Sequence, residues 1–245
     1  MYDNYGNTKI ATTNLTGRVR KLIDDVGGTS IGRPYGGGSF SVSSEGEISY
    51  TLTSPYHPAD IGYYEGNSFK RLTNLNNDLL RGKDLGVIEE IWYNSSVDGR
   101  KIQGWIAKPP GFDKEKKYPL IVENHGGPIS NYGDRFSPEI LLYSAAGYVV
   151  FYPNPRGSTS YGEEFGNLLY RNYPGDDYHD VMDGVDKMLE LGYIDMENLF
   201  VTGGSAGGIM TAWIIGKTDR FKASAVIKPV MNWISKTLVA DNYYG

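Results

Sequence analysis

One serine in this chain sits where a hydroxyl can be turned into a nucleophile. The run Val201-Thr202-Gly203-Gly204-Ser205-Ala206-Gly207-Gly208 places Ser205 inside a Gly-x-Ser-x-Gly sequence. A serine hydroxyl attacks a carbonyl only when a base takes its proton and nearby N–H groups receive the charge that builds on the carbonyl oxygen. A sharp strand-to-helix turn exposes the hydroxyl, and the amide of the residue after it can serve as one of those donors. Such a turn brings the end of the strand against the first turn of the helix, so a side chain at Gly203 or Gly207 would collide with its neighbour. Both flanks agree with this reading. Asn198-Leu199-Phe200-Val201 is a short apolar run suited to a buried parallel strand, and Ile209, Met210, Trp213 and Ile214 recur at helical spacing up to Gly216. In a chain with 32 glycines the five-residue pattern alone is weak, and without that context it would be a glycine-rich turn with an idle serine.

The composition narrows what else the chain can do. Its 245 residues hold one large or two small domains, and 40% apolar with 22% charged residues is the balance of a folded protein. A net charge of -5 gives no electrostatic reason to expect nucleic acid or an anionic membrane as partner. The absence of cysteine removes thiol catalysis, Cys-ligated metals and disulfides. No apolar run approaches the roughly 20 residues that span a bilayer, and Met1-Tyr2-Asp3-Asn4-Tyr5-Gly6 is too polar for a signal peptide. A cytoplasmic setting is therefore favoured over a secreted one, although the compartment is not fixed. Asp176, Asp177, Asp180 and Asp183 suggest a cation site at first sight, but an acidic helix start favoured by the helix dipole accounts for them. No metal and no organic cofactor is expected.

The elements that must position Ser205 fall into two textures. Up to about residue 82 short alternating stretches are broken by glycine turns, with no helical period. Ser39 to Ser43, Ile48 to Thr53, Ile61 to Tyr64 and Phe69 to Leu72 read as four strands, the content of one blade of a β-propeller, a unit that cannot bury its faces alone. Lys9 to Asp24 reads as strands of a preceding blade. From Val87 strands alternate with helices, the pattern of a mostly parallel sheet. Ile88 to Tyr93 and Lys101 to Ile106 flank Asp98-Gly99 as a hairpin. Tyr118 to Asn124 is the next strand and ends in His125-Gly126-Gly127-Pro128. A helix capped by Ser137, with Pro138 at its first position and Glu139 in its first turn, runs to Gly147. A strand at Tyr148 to Tyr152, a long loop from Pro153 to Gly162, a helix burying Val181, Met182, Val185, Met188 and Leu189 up to Gly192, and a strand at Ala223 to Ile227 complete the order. Within the loop, Arg156 is expected to hold its own segment by hydrogen bonds, and Glu163-Glu164 to be solvated loop acids.

The HGGP turn, the NPRGSTSYGEEF loop and the GGSAGG elbow, in that order, resemble the prolyl oligopeptidase family, and most of all its acylaminoacyl-peptidase and dipeptidyl-peptidase-like branch. The likeness runs from about residue 39 to 245. It implies an α/β fold: an α/β-hydrolase domain, incomplete here and lacking its last strands, preceded by the last blade or so of a β-propeller. On that division residues 1–82 are the end of the propeller and 83–245 the first part of the catalytic domain. The resemblance implies Ser205 as nucleophile, with the backbone N–H groups of Ala206 and Gly127 as the oxyanion hole and a short peptide as substrate. In some relatives a tyrosine side chain assists at the glycine turn, and here that position is His125, so backbone donors must carry more of the charge.

A serine hydrolase of this kind orders its triad Ser, then Asp or Glu, then His, yet the 3 histidines are His57, His125 and His179, all before Ser205. His57 suits a turn, His125 is committed to shaping its own but is a minor candidate for the base, and His179 is expected to face solvent. Asp219 reads as a turn residue and Asp241 is a minor candidate for a displaced acid. The expectation is a piece of a longer enzyme, lacking the triad Asp and His, barely active alone, and with the strand at 223–227 left as an apolar edge. Two other readings compete: a carboxylesterase acting on small esters, and a non-catalytic binding protein on a hydrolase scaffold.

Overall fold

The computed structural model describes residues 1–30 and 32–239 of the chain. Two sheets organise them. The first contains β1 (Tyr2–Asn4), β2 (Asn7–Thr13), β3 (Val19–Val26), β4 (Phe40–Val42), β5 (Ile48–Ser54), β6 (His57–Glu65) and β7 (Ser68–Arg71). Every pairing in it is antiparallel, and β3 meets β5 at one residue pair only, Val26 opposite Leu52. The two groups of strands read from the sequence as neighbouring blades are thus hydrogen-bonded at a single point. Ile10, Ile23 and Val26 from one group share a core with Ile48, Tyr50 and Tyr64 from the other. A four-residue helix, α1 (Asn77–Leu80), stands where no helix was expected, too short to show a period.

The second sheet holds β8 (Val87–Asn94), β9 (Lys101–Lys108), β10 (Tyr118–Asn124), β11 (Val149–Asn154), β12 (Ile194–Gly204) and β13 (Ala223–Ile227), ordered β13-β12-β10-β11-β9-β8. β8 and β9 form the expected antiparallel hairpin, and β10, β11, β12 and β13 run parallel. Successive side chains of a strand face opposite sides, and here both sides are covered. Leu120, Val122, Val149 and Phe151 meet Val181, Val185 and Met188 of α4 (Asp177–Glu190) and Met210 and Ile214 of α5 (Ala206–Ile215). Ile121, Val150 and Tyr152 meet Ile140 of α2 (Pro138–Ala145) on the other side. Burial on both faces explains why these strands read as continuous apolar runs.

The start of α2 follows its sequence. Ser137 Oγ accepts from the Ile140 N–H at 3.2 Å, Pro138 needs no donor in the first turn, and Gly147 turns the chain out at φ 95°. β12 begins at Ile194, earlier than its apolar run, because Tyr118 pairs with Ile194 before a bulge restores the register at Leu120 and Leu199. Glu163 and Glu164 belong to a short helix, α3 (Glu163–Gly166), and not to a loop, though Glu164 is exposed and meets Arg100 at 3.3 Å. A last helix, α6 (Trp233–Val239), was not read from the sequence. It buries no residue, so no apolar stripe facing a core marks it. β13 is the outer strand and its side chains are largely exposed. The Ser137 hydroxyl also donates to the Gly32 carbonyl at 2.6 Å, so Ser137→Ala is expected to cost about 1–2 kcal/mol in urea unfolding, a cap plus one hydrogen bond.

Candidate active site

Ser205 stands between β12 and α5 with φ 59° and ψ −119°. Non-glycine residues enter such regions at a cost of about 1–3 kcal/mol, and only where neighbouring structure holds them there. The Ser205 N–H donates to the Ile227 carbonyl at 3.0 Å, and the Ile209 N–H to the Ser205 carbonyl at 3.0 Å. Ser205 is exposed, whereas every other residue from Val201 to Thr211 is buried.

Two glycines let this corner close. A Cβ on Gly207 would lie 2.0 Å from the Asn124 carbonyl oxygen and 2.8 Å from that of His125, and one on Gly203 would lie 2.5 Å from the Gly207 carbonyl oxygen. The obstructing atoms are backbone and cannot rotate away. The end of β10 therefore crowds the elbow as much as the elbow crowds itself, which the motif alone did not reveal.

The His125-Gly126-Gly127-Pro128 turn forms the facing wall. A Cβ on Gly126 would be 3.4 Å from the Ser205 Cβ and 2.9 Å from the Gly204 carbonyl oxygen, so the turn lies directly against the serine. The Gly126 N–H donates to the Tyr35 hydroxyl at 2.7 Å. The N–H groups of Gly127 and Ala206 have no acceptor among the described residues. The structure thus brings Ser205, Ala206, Gly203, Gly207 and the Gly126-Gly127 turn around one corner.

His125 faces the protein interior. Its Nε2 is 2.9 Å from Ser158 Oγ and its Nδ1 2.8 Å from the Gly126 carbonyl oxygen. Burial pushes its pKa down to about 4, so the ring is neutral at pH 7 and both nitrogens are engaged. His57 lies at the start of β6 beside Asp60 and Arg71, and His179 is exposed on α4. Asp219 is exposed in the turn after α5, and Asp241 lies outside the described residues.

Arg156 reaches further than its own loop. Its Nε and Nη2 fork onto Asp180 of α4 at 2.8 and 2.9 Å, and Nη2 also donates to Ser95 Oγ at 2.8 Å. The acidic run has other employment than a cation: Asp180 holds Arg156, Asp177 accepts from the Gly175 N–H at 2.6 Å, and Asp183 accepts from the Ser96 N–H at 2.7 Å. Among the described residues no group of three or more His, Asp or Glu is placed to hold a metal.

Four contributors escaped the sequence. Tyr35 and Arg33 arrive from the β-rich part, Glu123 lies buried at the end of β10, and Tyr173 donates from its hydroxyl to the Ala206 carbonyl at 2.7 Å. For Tyr35 and Arg33 the local sign is the glycine-rich run at 32–38, which marks a turn but not its destination. Arg33 meets Glu123 at 3.2 Å and Glu139 at 2.9 Å. Burial outweighs its attraction at Glu123, whose carboxyl is pushed up to about 7, and burial likewise raises Asp177 to about 7.

An exposed serine at a strained strand-to-helix corner, on a sheet of this order and with a glycine turn from the neighbouring strand beside it, is the arrangement of the α/β-hydrolase fold. Residues 134–245 match the model of the prolyl oligopeptidase family. The uncharacterized peptidase YuxL of Bacillus subtilis is 41% identical over 209 residues, covering 84% of this chain and 32% of that protein. Dipeptidyl-peptidase 5 of Schizosaccharomyces pombe is 35% identical over 215 residues, covering 84% of this chain and 30% of that protein. Among solved structures, the acylaminoacyl peptidase of Pyrococcus horikoshii superposes with a TM-score of 0.83 at 26% identity, covering 96% of this chain and 36% of that one. By these matches the chain is similar to members of the prolyl oligopeptidase family. It spans about a third of the length of the relatives it matches.

Three stability measurements follow. Ser205→Gly relieves the strained backbone and is expected to raise unfolding free energy by about 1 kcal/mol, the strain released less the extra freedom of unfolded glycine. Gly207→Ala drives a methyl into fixed carbonyls and is expected to cost about 3 kcal/mol or more. A carboxyl whose folded pKa is raised binds its proton more tightly folded than unfolded, so stability falls as pH rises from the ordinary glutamate value towards 7. Glu123→Gln is expected to flatten part of that fall in urea titrations between pH 4.5 and 8.

Proposed function

We propose that Ser205 is the nucleophile of a serine peptidase that cleaves short peptides through an acyl-enzyme. The observation that carries this reading is the exposed, strained Ser205 lying against the Gly126-Gly127 turn, with the N–H groups of Ala206 and Gly127 without an acceptor among the described residues. In the reaction a base takes the hydroxyl proton, Oγ bonds to the peptide carbonyl carbon, and the oxyanion is received by those two N–H groups. The amine leaves with a proton, and water then releases the acyl group. Each donor is worth roughly 2.7–4 kcal/mol in the transition state, because the charge it faces appears only there.

His125 is excluded as that base by its enclosure and its engaged nitrogens. The triad Asp and His are proposed to come from parts of the whole protein outside this sequence, and without them residual rates of roughly 10³ to 10⁴ over water are the most that donors and binding sustain. Peptides are proposed as substrates because the relatives are peptidases, and because residues 1–82 suit the end of a β-propeller that would restrict access to the serine. The division at residue 82 is part of the same proposal.

A fluorophosphonate probe and short peptide amides, applied to the natural full-length protein, test the assignment. Labelling and peptide hydrolysis that both vanish in Ser205→Ala, with folding intact, are the expected result. Absence of labelling in a well-folded wild type would overturn it, and hydrolysis of small esters without any of peptides would turn the reading to a carboxylesterase.

A further inference from the structure

The oxyanion turn does not hold itself in place. Gly126 has no side chain to anchor it, and the residues after it are glycine and proline. Its carbonyl is held by the His125 ring and its N–H by a phenol 91 residues earlier in sequence, Tyr35. That phenol belongs to a strap, residues 32–36, which leaves the β-rich part after β3 and is bonded along its length to the loop at 126–133, to the start of α2 and to Glu123 of β10. The Gly32 carbonyl accepts from Ser137 Oγ at 2.6 Å. Arg33 is pinned between Glu139 and Glu123. The Pro34 carbonyl accepts from the Gly133 N–H at 2.9 Å, and the Gly36 N–H donates to the Asn131 carbonyl at 3.0 Å. The Tyr35 ring packs on Tyr132 with centroids 4.9 Å apart.

The Tyr35 hydroxyl oxygen and the Ser205 Cβ flank one point, the place where a Cβ on Gly126 would be, at 3.0 and 3.4 Å. The phenol thus meets the backbone of the turn at the residue that lies against Ser205. We propose that Tyr35 is a positioning residue: by accepting the Gly126 N–H it fixes the turn so that the following N–H, that of Gly127, points where the oxyanion forms. This rests on the reading of Ser205 as nucleophile. It also makes the oxyanion hole depend on a segment supplied by the β-rich part. A trans peptide is rigid, so with the Gly126 N–H and carbonyl both held, the Gly127 N–H has little freedom to turn. With Tyr35 lost, one hold is gone, and a misplacement of about 1 Å is enough to cost about 10²-fold in rate.

The test uses Tyr35→Phe in the natural full-length protein, which keeps the ring on Tyr132 and removes only the acceptor. Three quantities are read: hydrogen exchange of a peptide covering 125–128, kcat and KM on a peptide amide, and the melting temperature. Expected are exchange at the turn faster by at least about tenfold, kcat lower by about 10- to 100-fold, and KM within about threefold of wild type. A kcat equal to wild type, or a rise in KM with kcat kept, overturns the proposal. Should Tyr35→Phe unfold, Arg33→Gln loosens the same strap from its far end. It is expected to speed exchange at 125–128 and lower kcat in the same direction, and unchanged exchange there is an overturning result. If wild type shows no Ser205-dependent hydrolysis, the reading of Ser205 fails by itself, and the exchange experiment still decides whether the strap holds the turn.

Discussion

The site depends on how closely two stretches of backbone approach each other. The carbonyls that end β10 and the first turn of α5 come within a distance that no Cβ fits, and Gly203 and Gly207 are where that contact is made. Close-packed interiors leave no slack for an added methyl. The approach does two things together: it forces Ser205 to positive φ, holding its hydroxyl out of the protein, and it brings the Gly126-Gly127 turn against the same serine. Exposure of Ser205 and nearness of the glycine turn are consequences of one packing event.

That event is held from several sides. β13 ties Ser205 through the Ile227 carbonyl, Asn124 Nδ2 donates to Thr211 Oγ1 at 3.1 Å, and Thr211 Oγ1 donates to the Gly207 carbonyl at 2.8 Å. Tyr173 closes on the Ala206 carbonyl, and it also lines a small cavity with Asn124, His125, Arg156, Asp177 and Met210 among others. Strain of this kind persists only when its surroundings over-determine it, and these bonds are what over-determines it here.

The buried charges serve the same end. Arg156 on Asp180 joins the long loop to α4 and to the turn at 95–98, and Arg33 joins the strap to β10 and α2. Buried pairs of this kind contribute little net stability, because removing both charges from water is costly. Their directional hydrogen bonds set position.

What the sequence determined by itself was local. The elbow glycines, the Ser137 cap, the hairpin turn at Asp98-Gly99 and the apolar runs of β10 and β11 were legible because each depends on residues a few places apart. The absence of a histidine after Ser205 was equally plain from the chain alone. What only the tertiary structure decided was which distant residues meet: Tyr35 with Gly126, Arg33 with Glu123, Arg156 with Asp180, and the carbonyl of Asn124 with Gly207. Helical and strand patterns record which face of an element is buried and not what it is buried against. The partners of a polar side chain tens of residues away therefore leave no periodic mark, and they appear only once the sheets have packed.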